Sequence, residues 1–246
     1  MKKILVFTGV ALLVLALGAY VTLQFFLGSI VTAGVNKFGP AMTQSKVQLD
    51  SATLSPLSGV GTLTGLTVGN PQGWSNANAL HLGKIHVDVE PFSLFKDHIV
   101  INEITIDQAE VVYETKIVAS NIGDLLKNIE QSMGGNKAAG PTTETGKPVK
   151  MVVKKFVLRN TKVTVGMGAT AIALPMPPVE LTDLGVAENG ITPAAVAFAV
   201  MRSITSSVIS TSTKGMTELG GTAGAAAADA VKKGGEALKG LFGGKK

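Results

Sequence analysis

The sequence predicts a mainly β protein: an N-terminal membrane helix, an antiparallel sheet with one short helix inserted, and a helical C-terminal tail. Three observations predict it. No charged residue occurs between Lys3 and Lys37, apolar residues recur at every second position from Lys46 onward, and a four-residue apolar period returns after Thr192. With 246 residues, the chain is long enough for one sizeable domain or two small ones.

The first element is the apolar run over residues 4–30, ILVFTGVALLVLALGAYVTLQFFLGSI. As a helix it measures about 40 Å, against a hydrocarbon core of about 30 Å, so it spans with a tilt. A cleaved signal peptide ending near Ala16-Leu17-Gly18 is the rival reading. The apolar run continues past that point through Tyr20, Val21, Leu23, Phe25, Phe26 and Leu27, which favours an uncleaved signal anchor over residues 1–30. Lys2 and Lys3 orient its N-terminus to the cytoplasm and the remaining chain outside. Residues 31–44 follow as a short juxtamembrane helix with Val31, Val35, Phe38 and Met42 at helical spacing, weakened at Gly39-Pro40.

Residues 45–190 carry the strand pattern. Val47 and Leu49 alternate with Gln48 and Asp50; GVGTLTGLTVG leads into a Gly-Asn-Pro turn; Ile85, Val87 and Val89 alternate with His86, Asp88 and Glu90. Such alternation marks half-buried strands joined by turns. Residues 101–113 (INEITIDQAEVVY) align without gaps to residues 153–165 (VKKFVLRNTKVTV), pairing Ile104 with Phe156 and Ile106 with Leu158. Each copy reads as a hairpin turning at Asp107-Gln108 or Arg159-Asn160, which is either a structural repeat or the shared pattern of any two hairpins. Between them, Ile122, Leu125, Leu126 and Ile129 define one face of a short helix, and residues 134–149 read as a mobile loop. Residues 171–174 and 179–186, on either side of the Pro175-Met176-Pro177-Pro178 break, supply two further strands.

Residues 191–246 form the Ala- and Gly-rich tail. Thr192 is an N-cap followed by Pro193 at the first helical position, and Val196, Val200, Ile204 and Val208 repeat every four residues. Near the end, Val231, Leu238 and Phe242 share a stripe beside Lys232, Lys233 and Lys239. A basic amphipathic helix of this kind lies on an anionic membrane surface; with Gly234-Gly235 inside it, a frayed solvated tail is the other reading.

The net charge is +5, but residues 4–228 hold 15 basic and 15 acidic groups, so the excess sits wholly at the two ends. Nucleic-acid domains concentrate positive charge on a folded surface, and this chain does not. With no cysteine, disulfides, thiolate metal sites and cysteine nucleophiles are excluded. His86 and Asp88 share a polar strand face without a third ligand near in sequence, a solvated pair rather than a metal site. No Gly-x-Ser-x-Gly elbow or phosphate-binding glycine loop occurs. The expectation is a protein without catalytic residues or cofactor.

The order of the anchor, KVQLDSATLSPLSGVGTLTGLTVGNPQGW, LGKIHVDVEPFSLFKDHIVINEITIDQAEVVYE and SNIGDLLKNIE resembles the small AsmA-like proteins of bacterial envelopes, over roughly residues 1–190. The resemblance implies an inner-membrane anchor, a periplasmic sheet curled into an apolar β-groove, and a role in lipid handling or outer-membrane upkeep. Gly65, Gly69-Asn70-Pro71, Gly73 and Ser93-Leu94-Phe95 correspond to turn and packing positions of that family. Ile85, Val87, Val89, Ile104, Ile106, Phe156 and Leu158 are the expected groove lining for phospholipid acyl chains, the other reading being a closed core of the same residues. The partners expected are the inner membrane, phospholipid, and envelope proteins or a second copy of the chain. A non-catalytic envelope scaffold without lipid cargo is the alternative function.

Overall fold

The computed structural model describes residues 2–116, 119–134, 140–143, 145–166, 171–218, 229 and 232–233. The first element, α1 (Lys2–Thr43), is one unbroken helix of 42 residues. It runs through the boundary expected near residue 30 and past Pro40, because the returning chain holds its last turns. Asn36 accepts from the Leu49 amide at 2.6 Å and donates to the Leu49 carbonyl at 3.1 Å. The chain reverses at Gln44 and runs back along α1 as β1 (Val47–Gln48) and β2 (Ser51–Leu54). Tyr20 and Ser55 close this ribbon with a 3.1 Å hydroxyl pair.

Next come β3 (Val60–Gly69), β4 (Asn78–Val89), the 3₁₀ turn Pro91–Phe95, β5 (Ile99–Tyr113) and α2 (Asn121–Gly134). They are followed by β6 (Met151–Arg159), β7 (Thr161–Val165), β8 (Ile172–Met176), β9 (Val179–Leu184) and α3 (Pro193–Glu218). The nine strands form one sheet with the path β1-β3-β4-β5-β6-β9. β2 continues β1 along β3, β7 continues β6 along β5, and β8 pairs with β7 as β9 pairs with β6. The sheet is therefore six strand positions across, about 24 Å at 4.8 Å spacing, and its width falls short of the roughly 40 Å that nine separate strands would give.

The sheet is mixed rather than antiparallel. β5 pairs parallel with β6 (Ile104↔Phe156, Ile106↔Leu158) and with β7 (Val111↔Val163, Tyr113↔Val165). These partners are the ones matched in the gapless sequence alignment, so the two segments are not hairpins but long strands paired in parallel. Parallel neighbours need a crossover of a dozen or more residues, and the segment containing α2 supplies it.

The supposed hairpin turns have a physical origin. Gly65 lies between the pairs Thr64↔Lys84 and Leu66↔Leu82, as does Gly83 on the facing strand; Gln108 lies between Asp107↔Arg159 and Glu110↔Lys162, as does Asn160. Pro177 falls opposite Asn160 in the same row. Gly65, Gln108 and Asn160 have φ of 70°, 60° and 52°, which re-aims the residue that follows. In β5 the core-facing side chains are Ile104 and Ile106 before the row but Ala109, Val111 and Tyr113 after it. Every strand slips phase at the same row, so the register between strands is preserved.

One face of the sheet is apolar and packs into a single core with Ile122, Leu125, Leu126 and Ile129 of α2 and Val196, Met201, Ile204 and Val208 of α3. Thr192 caps α3 as the sequence predicts, accepting from the Ala195 amide at 3.3 Å. Because α3 packs on β7, β8 and β9, the folded unit extends beyond residue 190, and α3 is part of the domain, not a tail. Within the segment read as a featureless loop, Thr143 and Lys147 close a turn (N–H to carbonyl, 2.7 Å) and Val149 bonds Pro141.

Candidate functional site

The seven expected groove residues occupy β4, β5 and β6, and six of them belong to the common core. Ile85, Ile106, Phe156 and Leu158 are 6, 5, 3 and 1% exposed, beneath helical side chains of the same cluster. Val87 and Ile104, cross-strand partners, are half-buried against that core, as are Leu63 and Leu181 on the flanking strands. Val89 lies past a register shift between Asp88 and Val89 and is buried outside the cluster. The apolar face is thus covered by protein at four of the candidate positions and partly open at two.

Of the tail residues, Lys232 and Lys233 are exposed, and Lys233 pairs with Asp229 at 3.2 Å. Val231, Leu238, Lys239 and Phe242 lie outside the described residues.

The polar face of the sheet carries charge pairs aligned with the strands. Arg159 Nε donates to Asp107 at 3.1 Å, and Lys155 stands 3.7 Å from Glu103. The Asn160 amide, donating at 2.8 Å, holds the Asp107 carboxyl below its ordinary range against the opposing effect of burial, and the Arg159 guanidinium adds to the lowering. His86 is exposed here, and Asp88 accepts from Asn102 at 3.3 Å. Among the described residues no three His, Cys, Asp or Glu side chains come together as a metal site would require.

At the end of the sheet where β3 leaves and β5 stops, a polar clamp that the sequence did not reveal joins three segments. The buried Glu114 carboxylate accepts from Asn70 at 2.8 Å, from the Ser75 amide at 3.2 Å and from the Ser75 hydroxyl. Trp74 Nε1 donates to Asp124 at 2.7 Å, and Lys116 sits 4.5 Å from the indole centroid while its ammonium donates to the Gly73 carbonyl. Through Asp124, Trp74 ties the Asn-Pro-Gln-Gly-Trp loop to the first turn of α2. Tyr113 is buried beside this clamp, and burial pushes its hydroxyl above the ordinary range.

The opposite end bears exposed apolar side chains. Leu57 lies in the turn between β2 and β3, and Phe92, Leu94 and Phe95 lie in the turn between β4 and β5. Ser93 in the same turn is fully buried, its hydroxyl donating to the Glu90 carbonyl at 2.6 Å and accepting from the Val100 amide at 2.9 Å. Ser93 thus packs inside this turn, whereas Leu94 and Phe95 are exposed. No protein-family model and no curated protein matches this chain.

Proposed function

We propose that the chain is a single-pass, non-catalytic protein of the bacterial envelope, anchored in the inner membrane, that shields phospholipid acyl chains along the apolar face of its sheet. The observation supporting this reading is the partly open cross-strand pair Val87 and Ile104, with Leu63 diagonal to it, on the face of a sheet tied to α1. The described part of α1 that is long and apolar enough to cross a bilayer has mean hydropathy 2.2. Lys2 and Lys3 favour a cytoplasmic N-terminus and a periplasmic sheet, in keeping with the resemblance to the AsmA-like proteins. A chain of methylenes laid on half-exposed Val and Ile side chains gains about 0.8 kcal/mol for each CH₂ it buries.

The test is photocrosslinking of the full chain with a phosphatidylethanolamine carrying a photoreactive acyl chain, followed by peptide mapping. Adducts are expected on the peptides containing Val87 and Ile104, and the double variant Val87→Gln, Ile104→Gln reduces them several-fold while leaving α1 adducts unchanged. Adducts confined to α1 overturn the lipid-shielding reading. They turn the assignment to the second reading, a membrane-anchored scaffold for other envelope proteins, which the burial of Ile85, Ile106, Phe156 and Leu158 favours.

A further inference from the structure

The exposed apolar end of the sheet stands level with a defined point of α1. Tyr20 is bonded to Ser55 at 3.1 Å, and Ser55 opens the turn that carries Leu57. That turn is fastened in turn to the next one. Gly59 accepts from the Val89 amide at 3.0 Å, has φ of 74°, and packs so closely on the Val89 carbonyl and Pro91 that any Cβ would overlap the carbonyl oxygen. Tyr20, Leu57, Phe92 and Phe95 therefore belong to one rigidly linked end of the molecule.

From Lys2 to Tyr20 the helix rises about 27 Å, close to the roughly 30 Å of a bilayer core. Tyrosine favours the level where hydrocarbon meets headgroups. Beyond Tyr20 the outward side of α1 remains apolar, with Phe25 and Phe26 72 and 59% exposed alongside the sheet edge. The bilayer boundary therefore reaches Tyr20 or passes it, and any depth that takes in Phe25 also takes in the turn bonded to Tyr20. At that height Phe95, Leu57 and Phe92 are 88, 81 and 76% exposed. Apolar side chains this open, on turns otherwise stitched by Ser93, need a covering that the rest of the described chain does not supply.

We infer that Leu57, Phe92 and Phe95 form a second membrane contact, seated in the headgroup region of the leaflet from which α1 emerges. The inference rests on the reading of α1 as a membrane span. The contact fixes the domain at two points on the bilayer, so the sheet stands end-on to the membrane and its clamp of Glu114, Asp124 and Trp74 faces away from it. It also sets the half-open patch around Val87 and Ile104 near the lipid surface, because Val87 lies two residues before the register shift that leads into the Phe92 turn.

The chain contains no cysteine, so single cysteines introduced at exposed positions report depth without competing labels. The full chain, reconstituted in phosphatidylethanolamine–phosphatidylglycerol vesicles, carries an environment-sensitive nitrobenzoxadiazole at Phe95→Cys, Leu57→Cys, Leu13→Cys or Thr115→Cys. Quenching is measured with nitroxide lipids labelled near the headgroup or deep in the acyl chain. Labels at positions 95 and 57 are expected to be quenched several-fold more by the shallow lipid than the label at Thr115, at the far end. The label at Leu13 is quenched by the deep lipid. If positions 95 and 57 behave like Thr115 while Leu13 is deep, the second contact is overturned and the anchor stands. If Leu13 is unquenched, the anchor reading falls and the inference falls with it.

Discussion

Asn121 is wholly buried, and its single amide joins three parts of the chain. Its oxygen accepts from the Glu114 and Ile122 amides at 3.0 and 2.8 Å, and its nitrogen donates to Asn70 and the Val112 carbonyl, both at 2.7 Å. Asn121→Ala strands these partners away from water and is expected to cost about 2–4 kcal/mol, measured by denaturant unfolding in detergent followed by circular dichroism. A loss within error of zero would mean that water replaces the amide. Asp107 yields a different prediction. Its folded-state pKa is depressed, so its contribution is present above the unfolded value of about 3.9 and is lost as pH falls through the folded one. The gap in melting temperature between the wild type and Asp107→Asn therefore narrows below about pH 4 and stays open at neutral pH. Neither role is legible in sequence: an Asn before an apolar helix face reads as an ordinary cap, and Asp107-Gln108 reads as a turn.

At the scale of elements, the main misreading comes from Gln108 and Asn160. A strand whose alternation slips by one position looks, along one dimension, like two strands joined by a tight turn. Gln108 and Asn160 sit at this slip with positive φ, and a polar residue of αL conformation is also what a turn displays. The slip is silent in the ladder because Gly65 and Gly83 occupy the same row on neighbouring strands. The gapless correspondence of residues 101–113 with 153–165 held the signal for parallel pairing, since two in-register parallel neighbours with matching faces need the same pattern at a constant offset. α2 was legible because Ile122, Leu125, Leu126 and Ile129 keep the helical period, and all four are buried. Leu125→Ala is expected to destabilise by about 2–5 kcal/mol. Met133→Ala, at an exposed position at the end of the same helix, is expected to change stability by less than about 0.5 kcal/mol. Comparable losses at both sites would mean that α2 is not seated on the core through the predicted face.

For the molecule as a whole, local composition determined those properties that need no partner. A charge-free run makes a span-length helix because an unbroken apolar surface requires it, and alternation makes strands with one apolar face because side chains on a pleat point to opposite sides. The separation of charge, neutral from residue 4 to 228 with lysines at both ends, is likewise a property of sequence alone. Tertiary structure decided the rest. Period-two alternation is identical in parallel and antiparallel pairing, so only the crossover through α2 made β6 a parallel neighbour of β5. An apolar strand face does not state what covers it, and the packing of α2 and α3 closed it over Ile85, Ile106, Phe156 and Leu158 while leaving Val87 and Ile104 half open. Leu57 and Phe95 lie far apart along the chain as two unremarkable turn residues; they become one surface because the register of β3 on β4 brings their turns to the same end, beside Tyr20. Short-range pattern fixes how a segment buries itself, and only long-range pairing fixes which segments share an edge, a face or an end.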